Sequence, residues 1–201
     1  MPSVYDLKPK FQNLLRPLVG GLAKAGITAN QVTVAAMLLS LATGTVITWQ
    51  PGHRALLLLL PLVLFLRMAL NAVDGMLARD HNQKSRLGAV LNELCDVLSD
   101  AALYLPLALV AGFNAPLVVL IVLLAAASEM TGVLMQTLGA SRRYDGPMGK
   151  SDRAFVFGTL GLALGLGVPS GMWLTVLLVV VLALLVWTIL NRARRGLAEG
   201  A

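Results

Sequence analysis

Apolar residues in this chain gather in long unbroken runs, and polar residues gather between them. The runs cover 31–49, 55–79, 88–111, 115–139, 153–168 and 171–190. About 20 consecutive apolar residues are needed to cross a bilayer as a helix, so this pattern predicts six transmembrane helices. The first thirty residues differ. Phe11, Leu14, Leu15, Leu18 and Val19 recur at helical spacing among Lys8, Lys10 and Arg16. That spacing fits an amphipathic helix in the membrane interface, and equally a plain connecting helix, with Gly20-Gly21 and Gly26 expected to break it before the first span. The chain therefore divides into an interfacial lead-in at 1–30, a six-helix domain at 31–192 and a short basic tail at 193–201. The expected fold class is an all-α membrane protein.

Composition agrees: 57% of residues are hydrophobic and 13% charged, against about 45–50% and about 25% in soluble domains. A soluble enzyme, a disulfide-rich secreted module and a disordered tail are excluded, and long runs exclude an alternating outer-membrane barrel. The formal charge is +6. In a soluble protein that would suggest nucleic acid; here positive charge retained on the cytoplasmic side explains it, and no nucleic-acid partner is expected. Fourteen of the sixteen Lys and Arg residues fall in the lead-in, the second-to-third and fourth-to-fifth connections and the tail; Arg54 alone falls on the other side, and Arg67 lies inside a span. Both termini are expected in the cytoplasm, the protein in the cell's inner membrane as a multi-pass chain, and the site opening toward the cytoplasm, where the longer connections lie. Lys8, Lys10 and Arg16 precede no short apolar core with a cleavage site, so no cleaved signal peptide is expected. Cys95 has no partner for an internal disulfide, and no internal repeat supports a duplicated transporter.

Ionisable groups inside a bilayer are expensive and mark functional sites. Asp74 lies near the end of the second span, and Glu93, Asp96 and Asp100 lie in the third. The short connection between these spans predicts antiparallel neighbours. Asn71, Asp74 and Ala78 share one helical face; Asn92, Asp96 and Asp100 share one on the next helix, with Glu93 beside it. Hard oxygen ligands without a His or Cys cluster point to magnesium, manganese or calcium. Proton or sodium passage, and carboxylates held neutral as helix glue, are the alternatives.

Asp74-Gly75-Met76-Leu77-Ala78-Arg79, then eight residues, Gly88, Asn92 and Asp96 at three-residue intervals, resemble the signature of the CDP-alcohol phosphatidyltransferases, D-x-x-D-G-x-x-A-R followed by G-x-x-x-D-x-x-x-D. Thr28-Ala29-Asn30-Gln31-Val32-Thr33 is similar to the T-P-N-x-x-T that members often carry before the first span. The six-span layout also matches, so the resemblance covers most of the chain. It implies transfer of a phosphatidyl group from CDP-diacylglycerol to the hydroxyl of a small polar alcohol, releasing CMP in phospholipid synthesis. It implies one or two Mg2+ or Mn2+ ions, surrounding membrane lipids and a homodimer. By the pattern Asp96 is the candidate base, with Asp100 the runner-up. Asp74 and Asp96 hold metal, and Asn30, Thr33, Gly75, Ala78, Arg79 and Gly88 line the nucleotide pocket.

Two departures stand out. Asn71 and Asn92 occupy positions where the family has aspartates, and Glu93 and Asp100 are expected to restore the missing charge as further metal ligands. For the acceptor, Arg142, Lys150 and Arg153 around the Gly146-Pro147…Gly149 turn are candidates, because members using phosphorylated alcohols hold the acceptor phosphate with basic residues in this region; positive-inside topology alone also accounts for them. Glu129 either faces the same cavity or pairs with Arg67. Against transfer stand two other readings: a cation- or proton-coupled transporter, and a catalytically weak CDP-lipid-binding partner protein.

Overall fold

A computed structural model describes the backbone of residues 4–200 and the side chains of 11–200. The side chains of Lys8 and Lys10, and residues 1–3 and 201, fall outside the described residues. Seven α-helices follow one another: α1 Val4–Lys24, α2 Ala29–Trp49, α3 Leu59–Asp80, α4 Arg86–Tyr104, α5 Ala115–Thr137, α6 Lys150–Gly165 and α7 Met172–Glu199. Short 3-10 turns precede α3 (Arg54–Leu58) and follow α4 (Leu105–Leu109). The second of these carries Pro106, whose missing N–H interrupts the α-helical ladder. Among the described residues no strand is present.

The six predicted runs correspond to α2 through α7. Four of them (α2, α3 with its 3-10 turn, α5 and α7) are long and apolar enough on their own to cross a membrane. The other two are set apart by their charges and length: α4 carries Glu93, Asp96 and Asp100, and α6 has only 16 residues, beginning with Lys150, Asp152 and Arg153. The lead-in runs as a helix straight through Gly20-Gly21, correcting the expected break; the chain turns instead at Gly26, whose φ is +77°. Thr28 then caps α2 reciprocally with Gln31. At the other end α7 continues through the basic tail to Glu199.

Side chains of α1 (Leu15, Val19, Leu22) pack with Val32 of α2 and Val73, Met76 and Leu77 of α3, leaving Leu14 and Leu18 exposed on the outer face. Helices α3 and α4 do not pack as the neighbours their short connection predicts. α2 lies against both of them and holds their backbones apart. The reason is a stripe of small residues on α2, Ala29, Thr33, Ala36, Ser40 and Gly44, all buried. A methyl group at Gly44 would lie 1.9 Å from the carbonyl oxygen of Ala102 on α4. Such close approach is what small residues provide where no water drives helices together. The space between α3 and α4 is left to polar side chains.

Candidate active site

On the α3 side of this cleft, the Asp74 carboxylate is 3% exposed and accepts a 2.7 Å hydrogen bond from the Thr33 hydroxyl of α2. One turn earlier Asn71 donates to the Asp96 carboxylate of α4 at 3.4 Å. Lys150, at the start of α6, forms an ion pair with the same Asp96 oxygen. Arg67 reaches from one turn deeper on α3 to Asp100 at 2.8 Å and to the Asp96 backbone carbonyl at 3.4 Å. Asn71 and Asp96 thus meet across the cleft, Asp74 follows one turn along α3, and Asn92 lies exposed one turn outward on α4.

The nucleotide-pocket candidates also come together. A methyl at Gly88 would lie 2.8 Å from the Asn30 side-chain oxygen, and one at Gly75 would lie 3.1 Å from the Arg79 guanidinium. Gln83, in the α3–α4 connection, accepts from the Ala29 N–H at 2.7 Å and ties this loop to the start of α2. Ala78 is half-buried on the same face, and Arg79 is exposed. Among the described residues Arg79 is paired with no carboxylate.

The remaining acids face elsewhere. Glu93 and Asp100, expected as extra ligands, are each held by arginines. Arg142 grips Glu93 with two hydrogen bonds, 2.6 and 2.5 Å long. Asp100 is held on both oxygens, by Arg67 at 2.8 Å and by Arg153 at 2.9 Å. Glu129 on α5 collects three arginines, Arg153 at 3.0 Å and Arg142 and Arg192 at 3.2 Å each, and pairs with none of Arg67. Desolvation explains the arrangement: a charge taken from water into the bundle persists only when a partner and hydrogen bonds compensate it.

The α5–α6 connection is a built structure. Gly146 sits at φ +119° against Thr188, whose hydroxyl accepts from the Met148 N–H at 3.0 Å. Arg192, 1% exposed, donates to the carbonyls of Ser128 and Asp145. Asp145 is bracketed by Arg143 and Arg195 at 2.7 Å each. Burial alone would push the Asp145 carboxyl up; the hydrogen bonds from Arg143 and Arg195 outweigh it and hold the group below the usual carboxylate range. In the sequence Arg192 stands out only as one of the basic residues at the end of the last apolar run. Its signal is positional, since it continues the buried α7 face of Leu174, Leu178, Val181, Leu185 and Thr188.

Beside the cleft a groove of about 440 Å3 runs between α3 and α6. Its upper end is polar, with Arg67, Asn71 and Lys150, and its lower end apolar, with Pro61, Leu64 and Leu162. Gly158, Gly161 and Gly165 let α6 approach α3 and the turn before it, at Pro61, Leu57 and Leu58.

As a donor set, two carboxylates with two nearby amides offer hard oxygen and nothing soft. Among the described residues no group of three or more His, Cys, Asp or Glu converges. The set fits a magnesium-class ion held by one or two carboxylates, with phosphate and water completing its shell.

The chain is similar to known proteins in sequence and in fold. Residues 26–191 match the family model "CDP-alcohol phosphatidyltransferase". The chain is 49% identical over 199 residues to the inner membrane protein YnbA of Escherichia coli (strain K12), covering 99% of this chain and 98% of that one. It is 31% identical over 96 residues to a phosphatidylinositol phosphate synthase of Mycobacterium marinum, spanning 47% of this chain but 38% of that one. In fold it resembles the Mycobacterium tuberculosis phosphatidylinositol phosphate synthase, solved in complex with manganese and citrate (TM-score 0.76, 22% identity, 91% of this chain and 88% of that one) and with CDP-DAG bound (TM-score 0.74, 92% of each).

Proposed function

The chain belongs to the CDP-alcohol phosphatidyltransferase family, and from that premise we propose that it transfers a phosphatidyl group from CDP-diacylglycerol to the hydroxyl of a small polar alcohol. The observation that carries this reading is the contact of Asn71 and Lys150, which line the polar end of an otherwise apolar groove, with the Asp96 carboxylate beside it. A lipid diphosphate needs that combination, charge-handling groups at one end and room for acyl chains at the other. Membrane placement follows from the four long apolar helices; we read α4 and α6 as spans too, with both termini and the cleft facing the cytoplasm, because Lys and Arg concentrate on that side.

In this reading Asp74 and Asp96, with the amide oxygens of Asn71 and Asn92, hold one Mg2+ or Mn2+ ion. Held there, such an ion would supply positive charge to the diphosphate and so favour departure of CMP. Thr33 fixes the Asp74 carboxylate. Asn30, Gly75, Ala78, Arg79 and Gly88 receive the nucleotide, the glycines by leaving room and Arg79 by its exposed charge. The acceptor oxygen bonds to the phosphorus that carries diacylglycerol, the bond from that phosphorus to the CMP oxygen breaks, and the hydroxyl proton passes to Asp96. Lys150 and Arg67 hold the Asp96 carboxylate at the cleft, where it would receive the proton. Asp100 is held by arginines on both oxygens and serves to orient Arg67 and Arg153. Transport is disfavoured because, beyond Asp100, the bundle closes on Leu103, Tyr104, Leu107 and Ile121.

The test is CMP release from CDP-diacylglycerol by the purified protein across a panel of alcohols. Release that stops on addition of EDTA and returns with Mn2+ or Mg2+ supports the reading. Ion flux in vesicles without nucleotide turnover overturns it.

A further inference from the structure

We infer that the acceptor alcohol is uncharged, carrying no phosphate or carboxylate, because the arginines on the acceptor side of the cleft are already committed to carboxylates of the chain itself. The inference rests on the transferase reading above and narrows its second substrate.

The cations divide by location. On the nucleotide side Arg79 is exposed and, among the described residues, paired with no carboxylate, which suits a diphosphate. On the side toward α5, α6 and α7 the cations that reach the acids Glu93, Asp96, Asp100 and Glu129 are Arg67, Arg142, Lys150, Arg153 and Arg192, while Arg143 and Arg195 are held apart by Asp145 and Glu199. Five positive charges meet four negative ones, and the hydrogen bonds are nearly exhausted. Both oxygens of Glu93 are taken by Arg142. Both oxygens of Asp100 are taken, one by Arg67 and one by Arg153. Both oxygens of Glu129 are taken, one by Arg153 and the other by Arg142 and Arg192. The guanidinium of Arg192 is spent further on the carbonyls of Ser128 and Asp145, and that of Arg153 on Met148.

A phosphate dianion recognises a free guanidinium fork. To enter here it would have to displace Glu93 or Glu129 from Arg142, leaving a poorly hydrated carboxylate unpaired beside two new negative charges. Both effects oppose binding. A neutral polyol needs no such exchange, since its hydroxyls donate to carboxylate lone pairs and accept from the remaining N–H groups. Glu93 and Glu129 therefore act as specificity residues, occupying with their own carboxylates the positions a phosphate would need. The chemistry of the step is unchanged: the neutral hydroxyl loses its proton to Asp96 as its oxygen bonds to phosphorus and CMP leaves.

The experiment compares glycerol with glycerol 3-phosphate, and inositol with inositol 1-phosphate, as acceptors in the CMP-release assay. In parallel, binding of inorganic phosphate to protein saturated with CDP is measured for the wild type, Glu93→Gln and Glu93→Gln/Arg142→Ala. Glu93 is partly exposed, so its neutralisation spares the fold more than a change at Glu129. The expected results are preference for the uncharged member of a pair, no phosphate binding by the wild type, and a gain of about tenfold or more in phosphate affinity in Glu93→Gln that Arg142→Ala removes. Preference for a phosphorylated acceptor by the wild type overturns the inference, as does unchanged phosphate affinity in Glu93→Gln. Absence of CMP release with every acceptor overturns the transferase reading instead, and the phosphate measurements then still decide whether these arginines are free.

Discussion

Asp96 and Asp100 stand one helical turn apart on α4 in different surroundings. Asp96 faces the cleft with Lys150 on one oxygen, while Asp100 is 5% exposed and gripped by two arginines. In the proposed mechanism that difference makes Asp96 the reactive carboxylate and Asp100 a positioning one. Replacing Arg153 by Met takes one partner from Asp100 and one from Glu129, leaving Arg67 on the first and Arg142 and Arg192 on the second, and should cost about 1–3 kcal/mol, seen as a fall in melting temperature in detergent; no change would show that Arg153 does not share in holding these acids. Thr33 is a subtler case. Thr33→Val removes the hydrogen bond that orients Asp74 and should weaken Mn2+ binding about 10–100-fold with the fold intact, as loss of an outer partner commonly does; unchanged affinity in a direct Mn2+ titration would remove Asp74 from the ion's shell. At this scale much was legible beforehand. The spacing of Asp74, Gly75, Ala78, Arg79, Gly88 and Asp96 is fixed by chemistry that tolerates few residue types. The partners of Glu93 and Asp100 were not legible, because a charge's partner in a bundle comes from helices distant in sequence.

Among the helices, α2 carries a role that its plain composition hides. A short connection between α3 and α4 suggests direct packing, yet Ala29, Thr33, Ala36, Ser40 and Gly44 let α2 wedge against both and open the cleft. The signal was present as small residues three and four apart, but a stripe of that kind does not say which neighbour it receives. Gly44→Ala, with its methyl 1.9 Å from a backbone oxygen, should destabilise by about 1–3 kcal/mol and lower turnover with it; wild-type thermal stability would contradict the packing described. The α5–α6 connection is clasped differently, by Asp145 between Arg143 and Arg195. Because the Asp145 carboxyl is held below its ordinary value, its contribution is present above the unfolded-state pKa of about 3.9 and is lost as pH falls through the lower folded value. Protease resistance of this connection should therefore be constant from neutral pH down to about 5. Loosening already near pH 6 would mean that another group controls it.

Taken whole, the molecule pairs an ionic upper layer with an apolar lower one. The hydropathy runs made six helices legible, and four of them are long and apolar enough to span a membrane by themselves. α4 and α6 fall short because they bear the layer's charges, and these are carried by partners on α3, α5 and α7. The groove between α3 and α6 was not legible, since it arises from how Gly158 and Pro61 meet rather than from either run alone. The central claim is that Asp74 and Asp96, with two amides in place of two further acids, suffice for phosphatidyl transfer. It is tested most directly by single-turnover CMP release from CDP-diacylglycerol, comparing the wild type with Asp74→Asn and Asp96→Asn at matched thermal stability. The account predicts release by the wild type and a loss of about 10²–10⁴-fold in Asp96→Asn, with a comparable loss in Asp74→Asn. Wild-type rates in both variants would contradict it and move the chemistry out of this cleft.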